Sequence, residues 1–154
     1  MLVCDLDMNL WKGLTMSTNI LCICSGNTCR SPMLEGLLRK IAVERGLDAR
    51  IESAGLHKSA KRNKRTSWRA QVCMRRRHLD IRNHRSRHVD VLDISTFDLI
   101  VVMEPMMQVE VEKCGYHNRL VVLNVRNPLR ATLQAYESCA KQLEREAEKI
   151  ADAL

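Results

Sequence analysis

Cys24 and Arg30 stand six positions apart in the stretch CSGNTCRS, residues 24–31. These two residue types at this spacing suggest a thiol nucleophile beside a planar cation whose fork can hold two oxygens of one anion. A loop of this length can curl so that its amides point inward at that anion, adding to the positive end of a following helix. Gly26 is expected to relieve the backbone where the curl needs unusual angles. The same positive groups favour the Cys24 thiolate, which can attack a phosphate ester to give a phosphocysteine that water then hydrolyses. Cys4, Cys22, Cys73, Cys114 and Cys139 are expected as ordinary core residues. Between Cys22 and Cys29 there are neither paired CxxC sets nor neighbouring histidines, so no metal site is expected.

Such a loop needs elements to hold it. The apolar run ILCI before it is too short for a helix and reads as a buried strand. Ser31-Pro32 after it reads as a helix start, serine at the N-cap and proline at the first helical position. The helix predicted over 31–46 carries Met33, Leu34, Leu37, Leu38, Ile41 and Ala42 on one face and stops at Gly46. RIESA (50–54) reads as a strand broken by Gly55, and 56–65 as a surface loop. A helix capped by Thr66 or Ser67 follows, with Trp68, Val72 and Cys73 facing inward. DLIVVM (98–103) and RLVVLNV (119–125) are further strands, and a charged amphipathic helix runs from Arg130 to the end. Strands alternating with helices predict an α/β fold, a doubly wound parallel sheet with helices on both faces. Ligands of such sheets bind outside the carboxyl ends of the strands, where this loop lies.

The chain is 154 residues, the size of one domain. Its 45% hydrophobic and 28% charged content fits a soluble protein, and no run is long enough to span a membrane. Asp5 and Asp7 occupy the place where a signal peptide would need its apolar region. Seven cysteines without a framework of spacings predict reduced thiols and a cytoplasmic location. The net charge of +7 is localised: residues 58–88 hold twelve Lys and Arg against one acid, Asp80. That concentration would attract an anionic partner.

CSGNTCRSPMLEG resembles the active-site loop of the low-molecular-weight protein tyrosine phosphatases. The likeness continues in SAG (53–55), HRSRH (84–88), FDLIVVME (97–104) and NP (127–128). It places a phosphatase-like domain at 16–154 and leaves 1–15 as an extension. The resemblance implies a four-stranded parallel sheet and phosphate monoester hydrolysis with no metal or other cofactor. It makes Cys24 the nucleophile, Arg30 the phosphate clamp and Ser31 the hydroxyl that stabilises the thiolate. Ser25, Gly26, Asn27, Thr28, Cys29 and Arg30 would wrap the phosphate, and Asn27, Ser31, Ser53 and His84 would form the network that shapes the loop. Cys29 either traps Cys24 as a reversible disulfide under oxidation or fills space beneath the loop.

The pattern also breaks. Members carry a general acid as Asp-Pro followed by an aromatic residue; here Asn127-Pro128-Leu129 stands in that place. An amide cannot deliver a proton to the leaving oxygen, which removes about 10²- to 10⁴-fold of rate for a poor leaving group such as tyrosine. Slow turnover is therefore expected. Leu129 replaces an aromatic wall of the phosphotyrosine slot, and Trp68 is expected in the core instead. Thr28 resembles the threonine of protein-arginine phosphatases in the same superfamily, a second substrate reading. Arsenate reduction is rejected, because Glu104-Pro105-Met106-Met107 and a solitary Cys114 stand where two further cysteines are needed. Asp5-x-Asp7 resembles a haloacid-dehalogenase motif, but Asn9 breaks it and no such domain follows.

The expected partner is a phosphorylated protein, acidic or multiply phosphorylated, drawn by the basic segment. Nucleic acid is not expected, because Trp68 is that segment's single base-stacking aromatic, and neither is a membrane. The alternative from another class is a catalytically weak phosphate-binding module whose basic surface would grip an acidic partner or nucleic acid.

Overall fold

The computed structural model describes residues 17–154. The readings made on Cys4, Asp5, Asp7 and Asn9 lie outside the described residues. Four strands, β1 (Thr18–Cys24), β2 (Ala49–Gly55), β3 (Leu99–Val102) and β4 (Arg119–Val122), form one parallel sheet in the order β2-β1-β3-β4. The helices are α1 (Arg30–Arg45), α2 (Trp68–Arg75), α3 (Pro105–Lys113) and α4 (Leu133–Asp152). The doubly wound α/β sheet expected from the sequence is the fold observed.

β1 is central, hydrogen-bonded to β2 on one side and β3 on the other. Its Ile20 to Ile23 are fully buried, which is why the run is continuously apolar rather than alternating. α1 buries the predicted stripe from Met33 to Ala42 and ends at Gly46, whose φ of 64° is the left-handed cap expected there. α1, α2 and α4 pack on one another, while α3 packs on β3 and β4. From β1 the chain crosses by α1 to β2, then returns past β1 to β3. The loops after β1 and β3 therefore diverge and open a crevice at the carboxyl edge.

Several local expectations change. Ser31 does not cap α1; Cys29 holds the cap position without a side-chain bond, and Ser31 lies inside the first turn. Its hydroxyl is engaged by the loop instead. Trp68 is not core but 57% exposed, because Ala70, Cys73 and Met74 set the buried phase of α2. The Arg69 guanidinium lies 4.4 Å from the centroid of its ring. Cys114 is exposed after the last turn of α3, and Val72 is only half-buried. Residues 58–62, read as loop, form a 3-10 turn. α3 was not read from the sequence, although Pro105 at its first position is a start signal.

Candidate active site

Residues 24–30 curl between the end of β1 and the start of α1. Left-handed backbone is needed at Asn27, with φ 56°, and not at Gly26. Asparagine tolerates that conformation because its short amide can bond locally. The glycine the curl requires is Gly55, at the end of β2 beside Cys24. A β-carbon there would stand 2.4 Å from the Ser25 carbonyl oxygen and 2.7 Å from the Ala60 side chain. The loop's outer side is pinned by Leu56 N–H to Cys24 O (3.0 Å), His57 N–H to Ser25 O (3.0 Å) and Ser67 N–H to Thr28 O (2.8 Å).

Cys24 is 3% exposed. Its sulfur accepts from the Asn27 amide at 3.3 Å and lies 2.9 Å from Ser31 Oγ. Asn27 Nδ2 donates to that same Oγ at 2.9 Å, so the serine proton is left to point at sulfur; Ala54 O, its other acceptor, is at 3.5 Å. The Asn27 side chain is wholly buried and every direction is used. Nδ2 also donates to Ser53 Oγ at 3.0 Å, while Oδ1 accepts from Arg87 N–H at 3.0 Å and His84 Nε2 at 3.2 Å. Ser53 donates on to Glu35, whose other carboxylate oxygen pairs with Arg39 at 2.7 Å.

His84 Nε2 faces two acceptors of Asn27, O at 2.9 Å and Oδ1, so it carries the proton. Burial holds His84 below the ordinary imidazole value, against the opposing pull of the Asn27 carbonyl and Glu35. The ring is therefore neutral near pH 7. The structure thus brings Asn27, Ser31, Ser53 and His84 together as one network. It adds Arg87 and Glu35, which the sequence reading passed over. Arg87 sits in the quoted HRSRH stretch, and its N–H and Nε meet Asn27 and Ser53 O.

Arg30 is 1% exposed. Nη1 donates to Glu104 and to Val125 O at 2.8 Å, and Nη2 reaches Ser25 Oγ at 3.5 Å. Nε meets no protein acceptor among the described residues, so the Nε–Nη2 edge is left as a two-donor fork on the loop side. Glu104 is thus a site residue the sequence reading missed, although the motif FDLIVVME ends on it. Beside it opens a cleft of about 620 Å³ lined by Glu104, Pro105, Met106 and residues 124–127. Asn127 lies in that wall, its Oδ1 accepting Leu129 N–H at 3.1 Å in a turn of its own. Leu129 is 58% exposed.

Cys29 is buried beneath the loop against Cys139 of α4. The Cys139 thiol hydrogen-bonded to it, followed by burial, pushes the Cys29 thiol well above its ordinary value. Burial does the same to Cys22. No group of three or more His, Cys, Asp or Glu with metal-ligand geometry occurs among the described residues.

The arrangement can hold one tetrahedral anion over a thiol. Residues 19–154 match the family model described as low molecular weight phosphotyrosine protein phosphatase. A protein-arginine-phosphatase of Bacillus subtilis is 27% identical over 88% of this chain and 96% of its own length. A low molecular weight phosphotyrosine protein phosphatase of Gallus gallus is 34% identical over 56% of this chain, a match spanning 54% of that protein. Among solved structures, the low molecular weight protein tyrosine phosphatase of T. tengcongensis superposes with a TM-score of 0.82 at 25% identity, covering 90% of this chain and all of that one.

Proposed function

The chain belongs to the low molecular weight phosphotyrosine protein phosphatase family, and we propose that it hydrolyses phosphate monoesters of proteins through a phosphocysteine at Cys24. The observation that carries this reading is the sulfur of Cys24, 2.9 Å from Ser31 Oγ and 3.3 Å from the Asn27 amide, in the same loop that holds the buried Arg30. In the first step the thiolate attacks phosphorus and the ester oxygen departs. In the second, water attacks the phosphocysteine and the thiolate leaves, held by the Ser31 hydroxyl. Arg30 and the amides of residues 25–30 bind the three phosphoryl oxygens throughout, the preorganised electrostatic contribution to the rate. Residues 16–154 form the phosphatase-like domain and 1–15 the extension. A reduced Cys24 is required, which suits a reducing compartment such as the cytoplasm.

Phosphotyrosine proteins are the preferred substrates. Phosphoarginine is the second reading, favoured by Thr28 in the loop and by the arginine-phosphatase relative that matches across nearly the whole domain. The basic segment points to acidic or multiply phosphorylated targets. Between its anchors at Ser25 and Thr28 the chain runs along the loop's rim. There it exposes Lys58, Arg62, Lys64 and Arg65, none of which has an ion-pair partner among the described residues.

The test is hydrolysis of 4-nitrophenyl phosphate under reducing conditions beside a Cys24→Ala control. Turnover abolished in the control, with label from a ³²P substrate trapped on Cys24, supports the reading. Absence of turnover in both proteins overturns it in favour of a phosphate-binding module. Comparing kcat/KM for phosphotyrosine and phosphoarginine peptides decides between the substrates. A rate on acidic phosphopeptides that does not fall with salt removes the role of the basic rim.

A further inference from the structure

Within the segment that carries the positive excess, two cations are set directly against each other. Arg65 and Arg85 face one another across an antiparallel bridge. Ser86 N–H donates to Lys64 O at 2.8 Å beside them, so the arginines form the non-hydrogen-bonded type of pair, the closer of the two antiparallel spacings. Like charges so placed repel and cost stability. Both side chains are exposed, and neither has an ion-pair partner among the described residues. The segment's one acid, Asp80, is paired with Arg82, and Asp90 just beyond it with Lys61 and His88. The backbone beneath the pair is held firmly. Ser86, buried, accepts Lys64 N–H on Oγ at 2.8 Å, and Thr66, also buried, donates from Oγ1 to Ile81 O at 3.1 Å. Both sides of the bridge are tied to the anion loop. His84, next to Arg85, donates to Asn27 O at 2.9 Å, and Ser67, two residues from Arg65, donates its N–H to Thr28 O at 2.8 Å.

We propose that Arg65 and Arg85 together hold a second phosphoryl group of the substrate, carried on the same peptide as the one delivered to Cys24. The inference rests on the phosphatase reading and narrows its targets from acidic proteins in general to doubly phosphorylated ones. A phosphate dianion between the two guanidinium forks accepts charge-assisted hydrogen bonds from both and removes their repulsion. A carboxylate brings one charge and two coplanar oxygens, enough for one fork. Through His84 and Asn27 the pair stands roughly 10–15 Å from the Cys24 sulfur, on the order of three to five residues of extended peptide. A phosphate seated there docks the peptide without touching the reacting atoms, so its effect falls on KM.

The test uses one phosphotyrosine peptide in three forms: alone, with a phosphoserine added about four residues before or after the phosphotyrosine, and with glutamate in place of that phosphoserine. The quantity read is kcat/KM relative to the singly phosphorylated form. The unaltered protein should prefer the doubly phosphorylated form by about tenfold, and the glutamate form by about threefold or less. Arg65→Gln combined with Arg85→Gln should reduce the first preference to about twofold or less. Lys64→Gln should keep it, because Lys64 is a rim cation that faces Ser86 rather than a second cation. No preference in the unaltered protein overturns the proposal. An equal loss in Lys64→Gln overturns it too and makes the rim a diffuse field. A glutamate form that matches phosphoserine does the same, leaving charge alone as the cause. An RNA oligonucleotide whose binding only the double variant loses, with no preference among the peptides, makes the pair a nucleic-acid contact instead. If the protein hydrolyses neither 4-nitrophenyl phosphate nor any peptide, the phosphatase reading falls. The arginine pair is then decided by the same comparison made on peptide binding, read by fluorescence anisotropy.

Discussion

Replacing Asn27 separates the two things this residue does, accepting a left-handed backbone and hydrogen-bonding the loop to its surroundings. Asn27→Gly keeps the backbone freedom and deletes the side chain. Four hydrogen bonds disappear, two donated to Ser31 and Ser53 and two accepted from Arg87 and His84. Each is fully or partly buried, and the net worth of such a bond is about 1 kcal/mol, so the loss is about 3–5 kcal/mol. For a domain of this size 1 kcal/mol moves the melting temperature by roughly 2–4 °C, so Asn27→Gly should melt about 10–15 °C below the unaltered protein. Asn27→Ala should lose about 1 kcal/mol more, because a β-carbon at φ 56° is strained. Both variants free the amide that meets Cys24 and the hydroxyl of Ser31, so hydrolysis of 4-nitrophenyl phosphate should fall by about 10²-fold. Thermal unfolding by circular dichroism and the ester assay read both quantities. A glycine variant that melts within about 3 °C of the original would show that the network does not hold the loop. Equal melting of the glycine and alanine variants would refute the strain.

Gly55→Ala should destabilise by about 1–3 kcal/mol, since Ser25 O at 2.4 Å must move; activity should fall with it, and unchanged activity would show that the loop yields freely. Protonation of His84 supplies a pH effect of definite sign. Its value is lowered in the fold, so the unfolded chain binds the proton first. Stability is therefore intact above about pH 6.5 and declines as pH falls from there toward the lower folded value. Urea titrations across that range should show the decline, and His84→Gln, which can still donate to Asn27, should flatten it. Cys29 is pushed up by Cys139 and burial, so its thiolate appears only at high pH. Trapping of oxidised Cys24 by Cys29 should accordingly accelerate with rising pH under limiting peroxide, read by mass spectrometry of the Cys24–Cys29 peptide; a rate independent of pH would contradict that state of Cys29.

Much of this protein is legible in local sequence because local physics decides it. ILCI has to be a strand buried on both faces, the stripe from Met33 to Ala42 has to face a core, and Gly46 has to end that helix. The spacing of Cys24 and Arg30 between a strand and a helix marks the loop that curls at the carboxyl edge of the sheet, and Asn127 stands where members of the family carry Asp-Pro. The misreadings arise where partners lie far along the chain. Trp68 looks like core by composition, but the phase of α2 is set by what Ala70, Cys73 and Met74 meet. Gly26 looks like the hinge of the curl, whereas the strain falls on Asn27 and the steric demand on Gly55, one strand away. Ser31 reads as a cap because Ser-Pro starts helices, yet its hydroxyl is committed to Cys24 and Asn27. Glu104 is passed over in sequence as one carboxylate after an apolar run, although the motif FDLIVVME ends on it. Only the parallel pairing of β1 with β3 carries it to Arg30, because hydrogen bonds between strands decide which loops share an edge.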